Sequence, residues 1–70
     1  MYKISLSEHE FLTTTRENQL TILAMGREFA ANSGVDLEYE YRWMTMTEEN
    51  YFLARLKYDS ILSAMTSRKI

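Results

Sequence analysis

Glu8, His9 and Glu10 set the only imidazole of this sequence between carboxylates, the residue types of a general base or of a divalent-metal ligand set. Consecutive residues at a helix start project in different directions, so the three cannot converge on one atom, and solvated capping residues account for them more plainly. Cysteine is absent, which removes thiolate nucleophiles, disulfides and the common zinc sets together. Nucleophile motifs, phosphate-cradling glycine loops and calcium loops are also absent. A chain of 70 residues has little core with which to enclose a reaction pocket. The expectation is a protein that is not an enzyme, binds no metal or cofactor, and works by binding another macromolecule.

Three sets of residues are candidates for that binding. Asp36, Glu38 and Glu40 alternate with Val35, Leu37, Tyr39, Tyr41 and Trp43. In a strand the acids would line one face at roughly 7 Å spacing, able to steer a basic partner or simply solvated as an outer face. The five apolar and aromatic residues would line the other face, in the core or at an oligomer interface. Tyr39, Tyr41 and Trp43 also have the composition of a stacking platform for single-stranded nucleic acid, but such platforms interleave lysine and arginine, and the intervening residues here are mainly acidic. Phe52, Leu53 and Leu56 fall off the main apolar stripe of their helix, which makes them either a partner-binding surface or residues packed under the strand or against the first helix.

The elements that must position these residues follow from periodicity. Tyr2, Ile4 and Leu6 alternate with Lys3, Ser5 and Ser7, the pattern of a short half-buried strand. Ser7 with Glu10 makes a capping box, and from Glu8 to about Asn32 the residues Phe11, Leu12, Ile22, Leu23, Phe29 and Ala30 share one side of a helix. Met25 sits at the margin of that stripe and Leu20, Ala24 and Ala31 lie off it. The threonines at 13–15 weaken the helix locally, because β-branched residues lose rotamer freedom there. Gly34 is expected to close the helix in a left-handed conformation, with Asn32-Ser33-Gly34 the one strong break. A strand is expected from Val35 to Trp43. Thr47 is the candidate N-cap of a second helix from about Glu48 to Ser67, with Glu48 and Glu49 at its positive end and Arg68 and Lys69 at its negative end. Its buried face is predicted to be Tyr51, Ala54, Tyr58, Ile61, Leu62 and Met65.

The fold class predicted is α+β in a single domain over residues 1–70: short strand, long helix, strand, helix, with a two-stranded ribbon. A helix from Glu8 to Asn32 spans about 37 Å against roughly 30 Å for the strand, so the sheet of one chain cannot cover it, and a homo-oligomer, preferably a dimer, is expected to complete the fold. The Val35–Trp43 strand would then pair with its symmetry mate or with Tyr2–Leu6.

Composition bounds the partners. The chain is 46% apolar and 26% charged, which suits a folded protein. A net charge of −2 without a basic run argues against a general nucleic-acid binder. No apolar stretch approaches the length of a membrane span and the N-terminus has no signal-peptide core, so cytoplasmic location is the default. Beginning at Met1, the chain reads as a whole open reading frame, of the sort that compact bacterial or viral genomes encode. Lys3-Ile4-Ser5-Leu6-Ser7-Glu8 resembles the start of ribbon-helix-helix repressors, and the resemblance implies an N-terminal strand paired across a dimer and laid in a DNA groove. It stops at Glu8, Lys3 is the only strongly basic residue on the strand, and no turn is expected after a dozen residues of helix. The functional expectation is therefore a small adaptor, assembly factor or inhibitor that binds a protein. The alternative is a compact dimeric DNA-binding regulator, which requires Lys3, Arg16 and Arg27, or Arg55, Lys57 and Arg68, to gather on one face.

Overall fold

The alternation at the N-terminus produces strand β1 (Tyr2–Ser7), and Ser7 ends it by capping helix α1 (Glu8–Thr13). The Ser7 hydroxyl accepts from the Glu10 amide at 3.0 Å and donates to the Glu10 carboxylate at 2.9 Å. The long first helix expected from Glu8 does not form. Thr14 is extended, and Thr15 starts a second helix, α2 (Arg16–Phe29), by accepting from the Asn18 amide at 3.1 Å. The threonine hydroxyls compete for backbone groups here, so the run that weakens a helix interior makes a good helix start instead. Gln19 fastens the joint by donating to the Phe11 carbonyl at 2.9 Å.

Gly34 does not terminate the helix. The chain leaves α2 at Ala30, no glycine has positive φ, and Gly34 lies within strand β2 (Asn32–Asp36). The single strand expected from Val35 to Trp43 is a hairpin. Asp36 ends β2 by accepting from the amides of Glu38 and Tyr39, both at 3.0 Å, Glu40 turns the chain with φ 54°, and β3 (Tyr41–Met46) runs back beside β2. An aspartate that mimics a backbone turn explains why a sequence lacking glycine or asparagine there still reverses.

Thr47 caps α3 (Glu48–Lys57) as expected, accepting from the Asn50 amide at 3.1 Å. The second helix nonetheless ends ten residues earlier than Ser67. Tyr58 leaves helical geometry at φ −125°, where its hydroxyl reaches the Glu28 carboxylate and its ring meets Phe29 edge-on. A short helix α4 (Asp59–Ser63) and strand β4 (Thr66–Lys69) follow. The structure, a computed structural model, describes every residue from Met1 to Ile70.

The four strands form one antiparallel sheet in the order β2-β3-β1-β4. The α+β class stands, with four strands in place of a two-stranded ribbon. Each helical crossover joins two parallel strands that have another strand between them, the plan of the split β-α-β or ferredoxin-like motif, which carries no activity with it. Tyr41 and Trp43 do pair with the N-terminal strand, opposite Ser7 and Ser5. The length mismatch that required a second chain is gone: α2 spans about 21 Å and β1 about 20 Å.

All four helices lie on one side of the sheet. Ile4, Met44 and Met46 rise from it to meet Phe11, Ile22, Met25, Tyr51, Ala54, Leu62 and Met65. Met25 is fully buried, at the centre of the core and not at a margin. Tyr2 stacks on Tyr51 with ring centroids 4.0 Å apart. No helix is long and apolar enough to cross a membrane.

Candidate functional site

The structure separates the residues that the sequence placed on one strand. Val35 faces the helical side of the sheet at its edge, Leu37 and Tyr39 project from the hairpin turn at 86% and 71% exposure, and Tyr41 and Trp43 share the side that no helix covers. They therefore form no single face. The acids do not form a row either, because Asp36 is bound into the turn and Glu38 and Glu40 belong to the turn itself. Glu8 is more than a solvated cap: it meets Arg42 at 3.0 Å, while the Arg42 guanidinium lies 4.0 Å from the Phe11 ring centroid. No group of three His, Cys, Asp or Glu side chains comes together as a metal site.

Phe52, Leu53 and Leu56 lie at the surface and are not packed under the strand or against the first helix. Helical geometry sends Tyr51 and Ala54 into the core and leaves these three outside, at 54%, 45% and 84% exposure. At spacings of three and four residues Leu53 and Phe52 both adjoin Leu56, so the three make one patch on α3. Its borders differ in charge. Arg55 is paired with Asp59 at 3.6 Å and Lys57 with Glu28 at 2.8 Å, whereas Glu49, one turn before Phe52 and Leu53, has no ion pair in the chain.

Lys57 and Tyr58 both donate to Glu28, and these hydrogen bonds, Lys57's foremost, hold the Glu28 carboxyl below the usual carboxylate range. The same bonds raise Lys57 and Tyr58. This exposed clasp joins the end of α3 to α2 and so fixes the patch relative to the rest of the molecule.

The uncovered side of the sheet presents Tyr41, Trp43 and Thr45 from β3, Lys3, Ser5 and Ser7 from β1, and Thr66 and Arg68 from β4. Lys3 donates to the Tyr41 hydroxyl at 2.9 Å, and its ammonium lies 5.0 Å from the Tyr41 ring and 5.8 Å from that of Trp43. Trp43 is half-buried here and not part of the core. Its indole lies across Gly34, where a methyl group would stand 3.2 Å from Cζ2. Along the chain the residues that interleave Tyr39, Tyr41 and Trp43 are mainly acidic. The neighbours across the strands are a lysine and hydroxyls, and only the register reveals them.

The basic trios do not gather. Lys3 and Arg68 are on the open side of the sheet, whereas Arg16, Arg27, Arg55 and Lys57 are on helices covering the other side. β1 is paired on both edges, by β3 and β4, which leaves it no edge for the cross-dimer ribbon of a ribbon-helix-helix protein. No protein-family model, curated protein or solved structure matches the chain.

Proposed function

We propose that this chain is a non-catalytic protein-binding module that docks through α3. The carrying observation is the exposure of Phe52, Leu53 and Leu56 on a helix whose inner side is already filled by Tyr51 and Ala54. An amphipathic helix presenting anchors one turn apart fits an apolar groove on a partner. The unpaired Glu49 at one end of the patch adds charge complementarity, so the expected partner is a protein with an apolar groove that ends in a lysine or arginine.

A photo-reactive side chain in place of Leu56, in cells that produce the chain, tests this, with one in place of Leu12 as control. Leu12 is another exposed apolar residue, at 65% exposure, distant on α1. The expected result is a discrete crosslinked protein from position 56 alone, lost on adding Leu53→Asp and weakened by Glu49→Lys. Products shared with position 12 would show that the patch is not a specific surface. Crosslinking to a second copy alone would replace the heterologous partner with a homodimer.

A further inference from the structure

Across the open side of the sheet the residues stand in register as Asn32, Thr45, Lys3 and Arg68, then Gly34, Trp43, Ser5 and Thr66, then Asp36, Tyr41 and Ser7. Lys3 and Arg68 are direct cross-strand partners on the same face. Like charges set opposite one another in a sheet are destabilising, and neither residue has an ion pair within the chain to offset the repulsion. Beside them is a shallow hollow of about 250 Å³ lined by Lys3, Ser5, Tyr41, Thr66 and Arg68. That lining consists of two cations and three hydroxyls, hydrogen-bond donors without a carboxylate among them, and it suits a phosphate. Trp43 and Tyr41, two residues apart on β3, stand roughly 7 Å apart along the strand and offer rings to successive bases.

We propose that this open face binds single-stranded nucleic acid, with a backbone phosphate held between Lys3 and Arg68 and adjacent bases stacked on Trp43 and Tyr41. The net charge of −2 does not oppose this, because the acids sit elsewhere. They lie on the helices and in the hairpin turn, and the one acid on this face, Asp36, has its carboxylate engaged by two turn amides. A duplex keeps its bases stacked on one another and gives these rings nothing to stack on.

Trp43 is the only tryptophan, so its fluorescence reads the site directly. Titration of the full chain with a short oligothymidylate at low salt is expected to quench it saturably. With one phosphate neutralised, log K should fall against log salt with a slope of about −0.7, the value for each phosphate contacted on a single strand. Lys3→Gln and Arg68→Gln should each weaken binding roughly tenfold and make that slope shallower. Arg68 is exposed on the edge strand β4, so Arg68→Gln still decides the matter if Lys3→Gln disturbs the fold. Leu56→Asp should leave the titration unchanged, which separates this site from the α3 patch. Equal quenching by a duplex of the same length, full displacement by inorganic phosphate, or no quenching at low salt would each overturn the proposal.

Discussion

A methyl group added at Gly26 would meet the Met44 Cε methyl at 3.5 Å, an ordinary contact distance, and Gly26 lies inside α2 with negative φ. Gly26→Ala should therefore stabilise the protein by about 0.5–1 kcal/mol in urea unfolding, the usual gain from removing an interior helical glycine. Gly34→Ala should act in the opposite direction, because the indole of Trp43 must give way at 3.2 Å, and it should shift Trp43 emission as well. In the hairpin, Asp36→Ala removes the acceptor of two turn amides and is expected to cost about 1–2 kcal/mol, whereas Glu40→Gly relieves a left-handed residue and should return about 1 kcal/mol. Denaturant midpoints of the two variants check both signs. Were Asp36 instead part of a free acidic surface, Asp36→Ala would be neutral.

Among the elements, the clasp of Glu28, Lys57 and Tyr58 makes the packing of α3 on α2 dependent on pH. Glu28 has a folded-state pKa below its unfolded value, so its stabilising contribution is complete above the unfolded carboxylate value and is lost as pH falls through the folded one. Lys57 and Tyr58 are raised, so theirs is complete below their unfolded values and is lost only as pH rises through the folded ones. Glu28→Gln should lower Tm slightly at neutral pH, and the difference from the parent chain should vanish on acidification below the carboxylate range. A difference that persists in acid would mean that the carboxylate charge plays no part.

It is at this scale that the sequence was most and least legible. The 3.6-residue period put Tyr51 and Ala54 on the buried face of α3, because a helical face depends only on its own sequence, but it left Phe52, Leu53 and Leu56 either at the surface or packed against other elements, and Tyr58 breaks the helix before Leu62 and Met65. The hairpin was hidden because Leu37, Glu38, Tyr39 and Glu40 continue the apolar-polar alternation through the turn. β4 was hidden because Thr66-Ser67-Arg68-Lys69 has no apolar periodicity, and its pairing is set by the free edge that β1 offers. For the same reason Trp43 and Tyr41 could be singled out, but the cations beside them could not: Lys3 and Arg68 come from opposite ends of the chain and meet only through strand register.

As a whole, the molecule measures 29 × 25 × 18 Å and completes its sheet within one chain. Light scattering over a concentration series is therefore expected to give the monomer mass. A stable dimer would instead point to the α3 patch or to a free sheet edge, that of β2 or β4, and Leu56→Asp would tell the patch from the edges by abolishing the first only. The α3 patch and the open sheet face lie on opposite sides of the molecule, so a groove-bearing protein and a nucleic-acid strand could be held at once without competing.

Met25, Met44, Met46 and Met65 are all buried, Met25 and Met46 completely, whereas Met1 is 46% exposed. Peroxide can reach a thioether only where solvent does, so Met1 should convert to its sulfoxide first. The interior four should follow only as fast as the molecule opens, and a polar sulfoxide formed there would keep it from closing again. Mass spectrometry of successive oxygen additions would thus time the opening of the native state without denaturant. Under oxidative stress the same sulfurs would turn a transient opening into a permanent loss of the fold.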